Sequence, residues 1–289
     1  MDKDNKEKVL KALAEEYQLN LSDFALFLSV MKNKRAYECT LSIILGEPEL
    51  ELEEVKVEQV VLNKNGKRAI RLDAWAKDKK NRLFDMEMQN DSRGDNIPKR
   101  ARFYQGLLDT PVLRAGQDTK YRQLPSSIII FITQEDIWKK DMVRYTFTEQ
   151  CEEIPGMHLE DGTTKIFLNM TSKNGSQELV SLLQYMKESN LENPEILIKD
   201  KRLEELHRIV TEVKESEEWE VVQMNIMEIA MERGLEQGIE QGMQQGIKQG
   251  EKRLNVLYKR LLDDNRSEDL RRSMVDDEFR KKLYEEYHV

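Results

Sequence analysis

The sequence is poor in the residues that carry most covalent and soft-metal chemistry. Its only cysteines are Cys39 and Cys151. Two lone thiols far apart make no disulfide framework, so a reducing cytosol is the expected setting. The three histidines, His158, His207 and His288, are scattered, and none stands at metal-ligand spacing with a cysteine. That argues against a zinc site and against histidine-dependent nucleases. No G-x-S-x-G occurs, so a serine hydrolase lacks its nucleophile elbow. No G-x-x-x-x-G-K-[ST] occurs either, which leaves ATP or GTP hydrolysis without support. No run of about 18 apolar residues is present, so no membrane span is expected. The start, MDKDNKEKVL, has no positive charge followed by an apolar stretch, and no signal peptide is expected. The chain reads as soluble and cytoplasmic.

What is present is charge. Of 289 residues, 39% are hydrophobic and 35% charged, enough apolar material for a core with an excess of charge left for exposed helices or a tail. The length suits one large domain, or a medium one with an appendage. Lysine plus arginine number 46 against 55 aspartate plus glutamate, a net charge of −9. An acidic balance argues against a protein that coats DNA non-specifically. It is compatible with one that touches phosphate at a single local cationic site.

Along the chain the pattern changes several times. LSDFALFLSV and AYECTLSIIL give the first 45 residues a helical reading, stopped by Gly46-Glu47-Pro48. VKVEQVVL, RAIRLDAWA and RLFDMEMQN then read as three strands of an antiparallel meander, with Asn65-Gly66 as the first hairpin turn and KDKKN as the second. IPKRARFYQGLLDT predicts a helix with Pro98 near its first turn. SIIIFIT predicts a strand buried on both faces. KIFLNM predicts a further strand after Glu160-Asp161-Gly162, and residues 177 to 186 a helix. The expected fold is a mixed α/β domain over 1–195. Residues 196–289 are expected to form a charged helical tail. In that tail Gly234, Gly238, Gly242, Gly246 and Gly250 recur every four residues. Each glycine costs a helix about 1 kcal/mol relative to alanine, and the stripe turns by about 40° per step. A long exposed helix that self-associates is the favoured reading, with a flexible linker as the alternative.

The meander concentrates the chemistry. Strand alternation puts Leu83, Asp85, Glu87 and Gln89 on one face and Phe84, Met86 and Met88 on the other. The short KDKKN turn lays Asp73 beside Glu87. Two adjacent carboxylates repel unless a cation lies between them, and magnesium suits such sites because it needs only one or two carboxylates with waters and phosphate.

An aspartate in RLDAWA followed by E-x-Q in EMQ, on adjacent strands between two helices, resembles the PD-(D/E)XK nuclease superfamily. The match is closer to its Rpn-type branch of recombination-promoting nucleases and transposase-like proteins, which has E-x-Q, usually as EMQ. KRARFYQGLL, SIIIFIT, DGTTKIFLN and the glycine-rich tail resemble that branch as well. The resemblance covers roughly residues 24 to 195, and the tail only in style. It implies a restriction-endonuclease-like mixed sheet flanked by helices. It implies a DNA endonuclease that hydrolyses phosphodiester bonds with Mg2+ (or Mn2+ or Ca2+), in recombination or a mobile element. Asp73, Glu87 and the backbone carbonyl of Met88 would hold the metal, which would activate the attacking water. Glu38 would add a further acidic ligand. Gln89 stands where the superfamily's lysine stands, able to orient water but carrying no charge. Lys99, Arg100 and Arg102 would meet phosphate, and Tyr104 and Gln105 would line the cleft.

Plainer readings exist for each. Asp73, Glu87 and Gln89 would then be solvated on an open sheet face, Glu38 a helix-surface charge, and Lys99, Arg100 and Arg102 a solvated run. Tyr104 would be a core or cleft-wall aromatic, and Trp75 simple packing. Two rival functions follow: a catalytically weak, DNA-binding or oligomerising scaffold with the nuclease fold, or a helical adaptor whose tail does the work.

Overall fold

The computed structural model describes Ala12 and residues 19–61, 70–90, 94–112 and 120–289. The turn expected at Asn65-Gly66 and most of the first 18 residues fall outside that set. Helix α1 (Phe24–Met31) leads into α2 (Lys34–Leu45). The Asn33 side chain caps α2 by accepting from the N–H groups of Arg35 and Ala36. Gly46 ends it at φ 70°, a left-handed conformation that glycine adopts without strain.

Six strands follow: β1 (Leu52–Val61), β2 (Ile70–Asp78), β3 (Leu83–Gln89), β4 (Ser127–Thr133), β5 (Arg144–Phe147) and β6 (Thr163–Asn169). They form one mixed sheet in the order β1-β2-β3-β4-β6-β5. The first three make the antiparallel meander that the sequence predicts. Strands β3, β4 and β6 are mutually parallel, and parallel neighbours require a crossover. Helix α3 (Ile97–Asp109) supplies the one from β3 to β4. It lays Ile97, Ala101, Tyr104, Leu107 and Leu108 onto Leu72, Ile129, Phe131 and Phe167. All seven residues of β4 are buried, as SIIIFIT leads one to expect. Strand β5 leaves no mark in the sequence pattern: it has four residues, none of them fully buried, too little for a period to show.

The crossover has a consequence for β3. It is an interior strand covered on both faces, and its first six residues are all buried. The face carrying Asp85 and Glu87 is therefore no wet sheet face.

Helices α4 (Gln177–Lys187) and α5 (Lys201–Lys214) complete this unit. Asp200 caps α5 by accepting from the N–H groups of Arg202 and Leu203, and Leu203, Leu206, Ile209 and Val210 are buried. The helix packs against α2, and Arg202 donates to the Ser42 carbonyl at 3.2 Å. The compact α/β unit thus runs past residue 195, where the composition changes, as far as Gln223.

The second unit includes Met224–Val289, and with it most of the 47-residue helix α6 (Glu217–Asp263). The end of α6 folds with α7 (Ser267–Val275) and α8 (Asp277–Glu286) around Leu257, Leu261 and Leu283, supported by Tyr258, Leu270 and Phe279. The glycine repeat is helical. A Cβ added at any of its five positions would meet nothing within 4 Å. Ile239, Met243 and Ile247 beside it are exposed. No helix among the described residues is long and apolar enough to cross a membrane.

Candidate functional site

Strands β2 and β3 pair from Lys77↔Leu83 up to Ala74↔Met86. One step further, side chains take over from the ladder. The Asp73 N–H donates to Glu87 Oε1 at 2.9 Å, and the Met88 N–H donates to Asp73 Oδ2 at 3.1 Å. Each carboxylate is thus pinned by a backbone donor of the opposite strand. The sequence expectation that Asp73 lies beside Glu87 is met by these two bonds.

A third acid belongs to the cluster. Asp85 shares the strand face of Glu87 and is fully buried, alongside Asp73 at 7% and Glu87 at 1% exposure. Neither oxygen of Asp85 has a hydrogen-bond partner. No N–H or O–H reaches it, so the one bond open to it is to Glu87 through a proton of its own. Burial, followed by the charges of Glu87 and Asp73, holds the Asp85 carboxyl well above the usual range. Burial also pushes Asp73 up to about 6, opposed by the Met88 N–H and Arg100. Glu87 is pushed up to about 7 by burial and then by Asp73. Buried Tyr37 donates to the Ala74 carbonyl at 2.6 Å. Its phenol is raised by burial and then by Asp85, Glu87 and Asp73.

The counter-charge comes from α3. Arg100 Nη2 donates to Glu87 Oε2 at 2.7 Å and Nη1 to Gln89 Oε1 at 2.8 Å. Its Nε donates to Tyr104 Oη at 3.0 Å. The guanidinium lies over the Tyr104 and Phe131 rings, at 5.0 and 5.5 Å, a favourable cation–π arrangement. A cleft of about 360 Å³ opens here, lined by Phe24, Arg71, Asp73, Met88, Arg100 and Tyr104 among others. The buried acids therefore have one side toward solvent, through Asp73.

Other expected residues lie elsewhere. Glu38 Oε1 accepts from the Leu52 N–H at 3.0 Å and Oε2 from Arg35 at 3.5 Å. Its charge is felt by Lys79, at the far end of β2. Glu38 is therefore no member of the acidic cluster. Successive helical residues point about 100° apart, and it is Tyr37 that α2 aims at the cluster. Gln105 also points away: its Nε2 donates to the carbonyl and Oγ of Ser127, at 3.1 and 2.5 Å. That fastens α3 to the start of β4, which pairs with Leu83. Lys99 and Arg102 are exposed on α3, and neither has a contact to the acids. Trp75 packs against the α3-side core beneath Lys56.

The donor set is all oxygen, the chemistry of a hard divalent cation. Among the described residues, no three His, Cys, Asp or Glu side chains converge into a ready-made metal cage. The charge balance nonetheless fits a cation: among the described residues Glu87 has one ion-pair partner, Arg100, Asp73 has none, and buried Asp85 accepts no hydrogen bond. The fold and site define a mixed α/β protein with an undercompensated acidic cluster at the wall of an open cleft. No protein-family model, curated protein or solved structure matches the chain.

Proposed function

We propose that this chain is a divalent-metal-dependent DNA endonuclease built on a restriction-endonuclease-like α/β unit of the PD-(D/E)XK type, Rpn-like in its E-x-Q motif. The observation that carries the reading is the buried acidic cluster of Asp73, Asp85 and Glu87 beside an open cleft, with Arg100 as its nearest cation. Carboxylates kept dry and undercompensated cost folding free energy. They are retained where charge is the working part of a site.

Asp73 and Glu87, with the Met88 carbonyl, would hold Mg2+ or Mn2+. The bound cation would lower the pKa of a water and offset charge on the attacked phosphodiester. The chain's own groups do the rest. The backbone donors of Asp73 and Met88 hold the two carboxylates in register. Gln89 supplies an amide for orienting water, with its Oε1 already held by Arg100. Arg71 and Arg100, on the cleft wall, supply positive charge for DNA phosphate. The exposed Lys99 and Arg102 of α3 would extend that contact to neighbouring phosphates.

A second reading, a catalytically weak nuclease-fold protein that binds DNA or self-associates through its tail, draws on Gln89 in place of lysine. It also draws on the exposed Ile239, Met243 and Ile247. The deciding experiment is Mg2+ and Mn2+ calorimetry on the chain and on Asp73→Ala, with plasmid nicking in parallel. The expected result is metal binding by the parent only, and nicking reduced on the order of 10²-fold or more in the variant, as loss of several kcal/mol of charge stabilisation implies. Metal binding without nicking would favour the second reading. Equal nicking by both proteins would sink the first.

A further inference from the structure

Arg100 stands in two relations at once. Toward the sheet it forms a short ion pair with Glu87 Oε2 at 2.7 Å, the oxygen a cation at this site would need. Toward α3 it is held independently of the acids: Nε bonds Tyr104 Oη, and the guanidinium plane rests on two aromatic rings. A guanidinium does not lose its proton in a protein, so it cannot yield to an incoming cation by becoming neutral. It must move. Two positive charges on neighbouring lone pairs of one buried carboxylate repel strongly where water is excluded. The aromatic shelf limits how far Arg100 goes, leaving its free N–H groups on the wall of the cleft that Arg71 also lines.

We propose that Arg100 is an exchangeable counter-ion. It neutralises Glu87 in the metal-free protein, gives that oxygen up to the divalent cation, and then turns its fork to a DNA phosphodiester in the cleft. The inference rests on the metal-site reading above and adds to it the coupling between metal loading and phosphate binding. Arg100 meets Glu87 through Nη2 alone, with Nη1 on Gln89, whereas a phosphodiester offers two oxygens to its planar fork, so the exchange replaces a single-point partner with one of matching geometry. Ligand-dependent coupling of this kind is reciprocal: the metal strengthens DNA binding through Arg100, and DNA strengthens metal binding by drawing Arg100 away. Arg100 is a positioning residue toward the cation and a binding residue toward phosphate.

The test uses the full chain at pH 8, with Arg100→Ala and Arg100→Lys, and reads Mn2+ affinity by calorimetry and by the spin-resonance signal of free Mn2+. No cleavage is needed. Removal of the competing charge is expected to tighten Mn2+ binding about tenfold in Arg100→Ala, with Arg100→Lys between it and the parent. Binding of a short DNA duplex in Ca2+ should weaken in Arg100→Ala. Its dependence on added Ca2+, steep in the parent, should flatten. Should Arg100→Ala fail to fold, the same ordering is read from Arg100→Lys and Arg100→Met. Mn2+ affinity unchanged or weakened by these substitutions would overturn the exchange while leaving the metal site intact. Absence of Mn2+ binding in every protein, parent included, would overturn both.

Discussion

Strand β2 carries a buried acid near each end, and the two are housed in opposite ways. Asp78 is as deeply buried as the acids of the cleft, at 2% exposure, but all its needs are met. Its Oδ1 accepts from the N–H groups of Lys80 and Arg82, at 3.0 and 2.7 Å. Its Oδ2 accepts from Arg82 Nε at 2.7 Å. The remaining fork of Arg82 makes two parallel bonds to Glu47, each 2.7 Å, and holds that carboxyl below its usual range. Five residues away, Asp73 sits in a cluster where Asp85 has no donor and burial outweighs all compensation. Burial of a carboxylate is thus no signature of function by itself. What separates the ends is that one is closed and complete, and the other incomplete and open to a cleft.

The largest effect expected from that contrast is at the complete end. Arg82→Ala leaves Asp78 buried without its partner and frees Glu47, and should cost about 3 kcal/mol of stability, the lower part of the range for a broken buried pair. Arg82 is itself partly exposed, so water replaces some of what is lost. Urea unfolding of the metal-free protein measures it. Mn2+ affinity of the folded fraction should not change. A loss below about 1 kcal/mol would mean the Asp78 network is no better made than a surface pair, and the comparison would fail.

At the incomplete end a substitution should help. Asp85→Asn keeps a donor toward Glu87 without the cost of holding a proton on a buried acid at pH 8, and should stabilise the metal-free protein there by about 1–2 kcal/mol. The pH dependence follows from the same groups. Asp73 and Glu87 titrate near 6 and 7 in the fold, against about 4 in an unfolded chain. Between those values the native state binds more protons than the unfolded one, so stability falls as pH rises. Their contribution is complete below about pH 4 and is lost through pH 6 to 7. The unfolding temperature in a chelator should therefore decline from pH 5 to pH 8, and less steeply in Asp85→Asn. A variant less stable than the parent at pH 8, with an unchanged slope, would place Asp85 among satisfied acids like Asp78.

The pairing of Asp73 with Glu87 was legible because it rests on short-range rules: a period of two and a tight turn between neighbouring strands. Asp85 shows the limit of those rules. Its face was readable, but its burial depends on α3 crossing back over β3, and no local pattern announces which face a crossover helix will cover. Helix phase explains the other differences. Arg100 and Tyr104 lie four residues apart on one face of α3, and Gln105 lies about 100° round from Tyr104. Periodicity makes these residues one helix, but packing sets which face turns to the site.

The smallest effect tests that phase argument on α2. Glu38 accepts the Leu52 N–H at the end of the sheet where Lys79 sits, so Glu38→Gln keeps an acceptor in place and should change stability by less than about 1 kcal/mol. It should leave Mn2+ affinity untouched. Tyr37→Phe, one residue away, removes the donor to the Ala74 carbonyl beside Asp73. It should cost about 1 kcal/mol and weaken Mn2+ binding several-fold, because the backbone that positions Asp73 loses a restraint. Calorimetry on the pair reads both. If Glu38→Gln loosened the metal and Tyr37→Phe did not, the acidic cluster would have to include the residue that the sequence offered and the helix turns away.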